Sequence, residues 1–435
     1  MHPIQEIIKS NKEGAARGIY SCCSANEFVL RAALERSKET GTYVLIEATA
    51  NQVNQFGGYT GMTPADFRDY VFSLAKEYNL PEERLILGGD HLGPLTFSSL
   101  PQEEALEKSE ELVRAYVLAG FTKIHLDTSM KLRGDSETDS LSDDTIAMRG
   151  ARLCAACEDA YAEYQKKKPN AQKIVYVIGS EVPIPGGAQE KEESVSVTRK
   201  SAAISTLESY QRCFEGLNLS DAWSRVVGLV VQPGVEFGDD SIFAYNREDA
   251  LDLCSALDNY KNIGFEAHST DYQTKYDLKA LVEDGFAILK VGPALTFALR
   301  EALFALDIIE TEMSELYGFA ATHFRRQLEN EMRADSGDWK RHYFGSASEI
   351  DFKLAFSFSD RARYYLPKAQ VKHAVEQLLD KLSKHEIPLA LLSQYMPVQY
   401  TKVREGDLIK RPQALIIDRI KNCIDEYLFA SGYTI

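Results

Sequence analysis

The chain has 435 residues, of which 44% are hydrophobic, so it can bury a large core. Its formal net charge of −16 argues against a nucleic-acid-binding protein, because phosphate backbones are bound by clustered Lys and Arg. No segment approaches the roughly 20 apolar residues of a membrane helix, and the amino-terminal residues show no signal-peptide pattern. We therefore expect a cytoplasmic protein.

Strand-like apolar segments that end in a polar residue alternate with helix-like stretches. A (β/α)8 barrel gathers its active site in this way, at the carboxyl ends of its strands. The first strand lacks the Gly-rich fingerprint that a doubly wound sheet usually carries. The predicted strands cover 18–22, 43–47, 85–91, 124–127, 174–181, 226–232, 263–268 and 287–290. The predicted helices cover 26–37, 64–77, 102–119, 142–168, 199–217, 247–259, 273–284 and 296–317.

A single barrel takes about 250 residues, so this chain is longer than one barrel requires. We predict a barrel over residues 1–317 and a mainly helical C-terminal extension over 318–435, packed on the barrel. Long loops follow three strands, at 52–62, 131–143 and 182–198, and would lie on the catalytic face. The first is Gly-rich and is predicted to act as a lid.

Two histidines end predicted strands, His91 the third and His268 the seventh. Side chains from separate strands of a barrel converge on one cavity, and neutral imidazole is a common metal ligand. Together with Glu181 and either Gln232 or Glu236, they would form a mixed nitrogen and oxygen site for a divalent metal ion. Any one of these residues alone would more often be structural.

Other polar residues at strand ends allow several interpretations. Asp90 directly precedes His91, and two roles are open for it: a catalytic base, or the group that orients the imidazole. Asp127 is a base, a hydroxyl acceptor or a loop cap. His125 points to the same side of that strand, as a pocket residue or a core histidine. Lys290 has three interpretations: an amine that forms a Schiff base, an ion-pair partner of Glu266, or a group that contacts a carbonyl or phosphate of the ligand.

Two further groups of polar residues suit ligand binding. Glu47, with Asn51 and Gln52 just after it, offers the hydrogen bonds that a polyol requires, although loop capping explains the same residues. Arg361 and Arg363 stand two residues apart, and an arginine pair suits phosphate or carboxylate. An ion-paired helix surface is the alternative for the arginines.

Several long motifs are distinctive when they are taken together. They include GGDHLGP at 88–94, VQPGVEF at 231–237, EAHSTDYQT at 266–274 and VGPALTFALR at 291–300, with further matches at 46–49, 51–62, 359–361 and 393–395. The chain resembles, nearly end to end, the Z-type subunit of class II D-tagatose-1,6-bisphosphate aldolase. That family is similar to metal-dependent aldolases, which use an Asp-His pair after the third strand and histidine ligands after the sixth and seventh.

The resemblance implies an altered metal site, because Asp90-His91 matches the pair but Gln232 stands where the sixth-strand histidine is expected. Glu181 would compensate, and zinc, manganese, cobalt or nickel would suit the site. The aldolases have a Gly-rich phosphate loop after the seventh strand, which residues 269–271 replace here. Arg361 and Arg363 would then bind the phosphate.

Two functions follow from the resemblance. The first, which the polar cavity favours, is a metal-dependent ketohexose 4-epimerase that interconverts fructose and tagatose, or their 6-phosphates, by breaking and re-forming the C3–C4 bond. Asp90 or Asp127 would take the proton of the C4 hydroxyl. The alternative is a non-catalytic accessory subunit that supports the stability and activity of a separate aldolase subunit. The older family label of tagatose 6-phosphate kinase has no Gly-rich Lys loop to support it.

Both functions imply the same kind of small-molecule ligand, and the alternative also implies a protein partner. We expect a ketose or ketose-phosphate ligand, a homo-oligomer, and contact with a catalytic aldolase subunit if the alternative holds. The residues expected to bind the ligand are Glu47, Asn51, Gln52, Glu236, Asp271, Lys290, Arg361 and Arg363.

Overall fold

Eight parallel strands close a barrel in the computed structural model, which describes residues 1–136, 138–182 and 195–434. The barrel strands are β1 (Ile19–Cys22), β2 (Val44–Thr49), β3 (Leu85–Leu92), β4 (Lys123–Leu126), β5 (Val175–Gly179), β6 (Val226–Val231), β9 (Gly264–Ala267) and β10 (Ile288–Val291); β7 (Glu236–Phe237) and β8 (Ile242–Phe243) form a separate antiparallel pair. Around the barrel the order is β1-β10-β9-β6-β5-β4-β3-β2. The predicted (β/α)8 fold is confirmed.

Helices precede, separate and follow the barrel strands. They are α1 (Pro3–Ser10), α2 (Glu27–Thr40), α3 (Pro64–Glu77), α4 (Gln102–Ala119), α5 (Asp143–Lys167), α6 (Lys200–Gly216), α7 (Ser220–Trp223), α8 (Arg247–Cys254), α9 (Lys275–Glu283) and α10 (Pro293–Tyr317). The predicted bounds of α3 and α4 match the structure. The helix predicted at 247–259 is shorter in the structure. It ends at Cys254, and a short 3-10 turn, Ser255–Leu257, follows it.

The chain after α10 is mainly helical. Its helices are α11 (Phe324–Ala334), α12 (Ala347–Phe356), α13 (Ala369–Lys384), α14 (Leu389–Tyr395), α15 (Pro397–Glu405) and α16 (Pro412–Ala430). Helix α16 packs against α2, α9 and α10 on the outside of the barrel. The division into two domains at residue 317 stays a prediction. Within the described ranges, no helix is long and apolar enough to span a bilayer.

Helix α1, to which the sequence pattern assigned no element, fills the amino-terminal end of the barrel. Ile4, Ile7 and Ile8 are buried in one cluster with inward-facing residues of the strands. A Cβ atom on Gly264, the first residue of β9, would lie 2.8 Å from Cδ1 of Ile8, so the helix approaches the strands closely. This end is therefore packed with apolar side chains, and the polar chemistry lies at the opposite end.

His2 caps α1 through its imidazole, and this makes stability sensitive to acid. Nδ1 accepts the amide of Ile4 at 3.2 Å, and Nε2 lies 3.1 Å from Oγ1 of Thr122. Burial is the main cause that lowers the pKa of His2 from 6.5 to about 4. Between these values the unfolded chain binds more protons than the folded chain, so the free energy of unfolding falls as the pH is lowered.

We expect this effect of His2 to reach about 2 kcal/mol at pH 5. His2→Asn keeps a capping side chain without a titratable ring, so it should reduce the loss of stability between pH 7 and pH 5 by that amount. Urea unfolding of both proteins at the two pH values measures the difference. Equal losses in the two proteins would contradict the assignment.

Candidate active site

A cavity of about 760 Å³ opens at the carboxyl ends of the strands, within the size range of small-molecule sites. Its walls come from the barrel strand ends, the loop after β2 and the C-terminal region. The predicted site residues that line it are Asn51, Gln52, Asp90, His91, His268, Asp271, Lys290, Arg361 and Arg363.

Three histidines from separate strands form a cluster beside this cavity, which His91 and His268 line while His125 lies behind them. The ring centroids of His91, His125 and His268 lie 5.0 to 5.3 Å apart. With Asp90, each offers one ligand atom, and these atoms all lie within 4.8 Å of one another. All four side chains are buried. Three nitrogens and one oxygen form a donor set that zinc and other divalent transition metals accept.

Each of the three imidazoles has a carboxylate partner on one ring nitrogen, which leaves the other nitrogen for a metal. Nδ1 of His91 lies 2.8 Å from Oδ2 of Asp127. Nε2 of His268 lies 3.0 Å from Oε1 of Glu266. A carboxylate in this position fixes the tautomer and the ring orientation of a metal-bound histidine.

His125 provides the clearest sign that the cluster fits a metal ion. Its Nδ1 lies 2.9 Å from Oδ1 of Asp90, and its Nε2 is buried without a hydrogen-bond partner among the described residues. The amide of His91 also approaches Nδ1, at 3.2 Å, and Nε2 has a lone pair for a metal only in the tautomer in which Nδ1–H donates to Asp90. A buried ring nitrogen without a partner costs free energy. The sequence had left His125 open between a pocket residue and a core residue, and had not placed it among the candidate metal ligands.

The local backbone explains how Asp90 and His91 reach the cluster. The pairing of β3 with β4 shifts register between Gly89 and Leu92, and His91 has a left-handed φ of 49°. A bulge in a strand redirects side chains next to active sites, and a left-handed non-glycine residue persists only where its surroundings hold it. Asp90 and His91 therefore both line the cavity, although they are neighbours in the chain.

A buried ion network lies below the histidines. Nζ of Lys123 is 2.5 Å from Oε1 of Glu47 and 2.6 Å from Oε2 of Glu266. Lys290 contacts Glu47 and lies 2.8 Å from Oδ1 of Asp90. There is no room for a larger residue at Gly88, where a Cβ atom would lie 2.5 Å from Oε1 of Glu47.

The charges in this network keep Asp90 and Lys290 ionised. Burial alone would raise the pKa of Asp90, but His91, Lys290 and His125 hold it well below its usual value. Burial lowers the pKa of Lys290, yet the nearby Asp90, Cys23 and Glu47 raise it well above its ordinary value. A protonated amine is not a nucleophile, so the geometry disfavours the Schiff-base interpretation of Lys290.

The structure separates two predicted metal ligands from the histidine cluster. Glu181 is exposed, and its Oε2 accepts the hydroxyl of Thr198 at 2.5 Å. Oε1 of Gln232 accepts the amides of Gly234 and Val235 at 2.8 and 3.0 Å, so it caps a turn. Ligation by either residue stays a prediction.

Two predicted ligand-binding residues lie away from the cavity wall. Glu47 is fully buried among the lysines described above. Glu236 is buried, and its Oε1 accepts the amide of Phe237 at 2.9 Å. Asp127, predicted as a base, uses Oδ2 for His91 and Oδ1 for Ser129, which suits an orienting role.

The loop after β2, the predicted lid, reaches the C-terminal region across the cavity. Tyr59 packs edge to face on Tyr364, with ring centroids 5.3 Å apart. Gly58 has a φ of 55°, and a Cβ atom there would lie 2.3 Å from the carbonyl oxygen of Gln52. Glycine is therefore required at this turn. Much of the predicted loop at 182–198 lies outside the described residues.

The family model for the D-tagatose-1,6-bisphosphate aldolase subunit, GatZ/KbaZ-like, matches residues 4–432. The chain belongs to this family. A crystal structure described as a probable tagatose 6 phosphate kinase from Sinorhizobium meliloti 1021 is 44% identical, with a TM-score of 0.85 over 95% of this chain and 100% of that chain. The family resemblance expected from the motifs is confirmed, and the family description fits the accessory-subunit alternative better than the epimerase.

Two aldolase structures show lower similarity. The YdjI aldolase from Escherichia coli K12 is 12% identical, with a TM-score of 0.43 over 88% of this chain and 98% of that chain. The fructose-bisphosphate aldolase from Campylobacter jejuni is 16% identical, with a TM-score of 0.43 over 87% and 91%. Similarity at this level carries no conclusion about the function of the GatZ/KbaZ-like chain.

Proposed function

We propose that this protein is an accessory subunit of a D-tagatose-1,6-bisphosphate aldolase, and that its barrel retains a cavity able to hold a divalent metal ion and a ketose or ketose phosphate. The observation that carries the proposal is the family match over residues 4–432, since that family is described as an aldolase subunit. Its cytoplasmic location and its assembly as a homo-oligomer belong to the same proposal.

Addition of the protein to a separately purified tagatose-bisphosphate aldolase catalytic chain tests the accessory role. We expect a higher rate of tagatose 1,6-bisphosphate cleavage and a longer half-life of the catalytic chain on warming. The double variant His91→Ala, His268→Ala is the matched control, because a purely supportive subunit should retain its effect without the metal cluster. An unchanged rate and half-life with wild-type protein would contradict the accessory role.

A second function, ketohexose 4-epimerisation, is favoured by the cluster of His91, His125 and His268 with Asp90, of which all but His125 line the cavity. A support role alone does not require a buried, carboxylate-oriented set of three imidazoles. A bound divalent ion would supply Lewis-acid polarisation of the sugar carbonyl and hydroxyl oxygens.

The side chains of the cavity suit the remaining steps of this reaction. Asp90 lines the cavity, so its carboxylate is placed to take a proton from a sugar hydroxyl. Lys290, also on the cavity wall, carries a positive charge beside it. The loop that bears Tyr59 would retain the aldehyde fragment while the C3–C4 bond is broken.

The epimerase is tested with the protein alone, reconstituted with zinc, manganese, cobalt or nickel and supplied with fructose or fructose 6-phosphate. Metal-dependent formation of the tagatose product, lost in Asp90→Asn and in His268→Ala, would establish this function. No product with any metal, together with stimulation of the aldolase chain, would leave the accessory role alone.

A further inference from the structure

The cavity has a cationic wall that the histidine cluster does not use. Arg361 and Arg363 lie on a short 3-10 turn, Arg361–Tyr364, in the C-terminal region, and both line the cavity together with His342 and Lys372. Only 7% of Arg361 is exposed. Buried guanidinium groups normally pair with carboxylates, because an unpaired buried charge is costly.

Within the described ranges, neither arginine has a carboxylate partner. Nε of Arg361 donates to the carbonyl oxygen of Asp338 at 2.7 Å. Arg363 donates to the carbonyl oxygens of Ser359 and Asp360 and to the hydroxyl of Tyr364. These acceptors orient the guanidinium groups without neutralising their charge.

The carboxylate nearest in sequence is engaged elsewhere. Oδ1 of Asp360 accepts Nε of Arg300 at 2.7 Å, and Oδ2 accepts the hydroxyl of Thr296 at 2.5 Å. Arg300 and Thr296 belong to α10, so this buried pair fixes the turn that carries Arg361 and Arg363 to the barrel. Asp360 is thus a positioning residue for the cationic wall.

Two neighbouring groups respond to the positive charge of the arginines. The pKa of His342 is lowered to about 4 by burial and then by Arg361 and Arg363. Burial raises the pKa of the Tyr364 hydroxyl, but Arg363 and Arg361 outweigh burial and leave the pKa below its ordinary value. Asp338 and Asp360 act on the arginines through space, without a direct ion pair.

The position at which many barrels bind phosphate is already filled by the chain itself. That position lies after the last two barrel strands, at a helix amino terminus. Here Oδ1 of Asp271 accepts the amide of Gly292 at 3.0 Å and that of Ala294 at 2.7 Å, at the start of α10. The side chain of Asp271 therefore occupies the place of the anion.

We infer that the phosphate group of a ketose phosphate is bound by Arg361 and Arg363 on the C-terminal wall of the cavity, and that the amino terminus of α10 takes no part. An arginine pair suits phosphate because each guanidinium donates two parallel hydrogen bonds. The inference rests on the proposed function only in taking a ketohexose phosphate as the ligand, and it makes the phosphorylated sugar the preferred substrate class.

Calorimetric titration of the zinc-loaded protein with fructose 6-phosphate, fructose and inorganic phosphate tests the inference. We expect Arg361→Gln and Arg363→Gln each to weaken binding of fructose 6-phosphate and of inorganic phosphate at least about tenfold. Fructose should bind within about twofold of its original affinity, since it lacks the phosphate contact. Arg404→Gln, a change at an exposed arginine of α15, is the charge-matched control and should change neither affinity.

Several results would overturn the inference. Equal losses of affinity for fructose and fructose 6-phosphate would mean that the arginines maintain the structure of the cavity and do not bind the phosphate group. Unchanged phosphate affinity in the arginine variants, with tighter binding in Asp271→Ala, would place the phosphate at α10. If Arg361→Gln does not fold, the less buried Arg363→Gln decides alone. The quantity measured is binding affinity and not product formation, so failure of both proposed functions would leave this result standing.

Discussion

His125→Ala should weaken zinc binding by at least about 100-fold, because it removes the one ring nitrogen that is buried without any partner among the described residues. His91→Ala and His268→Ala should have effects of the same size. Glu181→Ala and Gln232→Ala should stay within about threefold of wild type, because their oxygens bond to Thr198 and to backbone amides.

Competition of the metal-free protein with a chromophoric chelator measures these affinities, and the visible spectrum of the cobalt form reports the number of nitrogen ligands. His373→Ala is the matched control, because this exposed histidine lies on α13 and bonds to Gln377. Thermal unfolding of each metal-free variant separates a lost ligand from a lost fold. Weak binding in Glu181→Ala with unchanged binding in His125→Ala would contradict the cluster and support the ligand set that the sequence predicted.

The difference between the two ligand sets has a physical cause. The sequence predicted a strand through residue 181, but β5 ends at Gly179, so Glu181 lies past the strand in an exposed position. His125 was placed on the correct strand, and two-residue spacing put it on the same face as Asp127. The sequence could not decide whether His125 is a metal-ligating residue or a core histidine. The answer depends on the register shift in β3, which no sequence pattern reveals.

The fold was easier to predict than the site. Each predicted barrel strand and helix has a counterpart, because alternation of short apolar runs with amphipathic stretches is a local property of the chain. Helix α1, which the sequence pattern did not predict, is only eight residues long. Its Ile4, Ile7 and Ile8 can be recognised as core residues only when the barrel end that they pack against is known. Contacts between distant segments, such as the edge-to-face pair of Tyr59 and Tyr364, required the full structure.

Lys123 shows the same limit, since nothing in its sequence context marks it as important. It begins β4, at the end of the strand away from the cavity, and its side chain is fully buried between Glu47 and Glu266. Burial lowers the pKa of Lys123, but Glu266 and Glu47 raise it above its ordinary value, so the amine is charged. The three side chains therefore form an ion cluster inside the barrel.

We expect Lys123→Met to lower the free energy of unfolding by about 3–5 kcal/mol, because it leaves Glu47 and Glu266 to share Lys290 with Asp90. Lys173→Met, which removes an exposed pair with Asp221, should cost no more than about 1 kcal/mol. Urea unfolding of the metal-free proteins at pH 7 measures both changes.

The double variant Lys123→Met, Glu266→Gln decides whether charge is the cause. Neutralising Glu266 removes one of the uncompensated carboxylates, so the double variant should recover about half of the lost stability. It should also weaken zinc binding, because Glu266 orients the ring of His268. If the double variant is less stable than Lys123→Met alone, the packing of the lysine side chain and not its charge stabilises the barrel beneath the site.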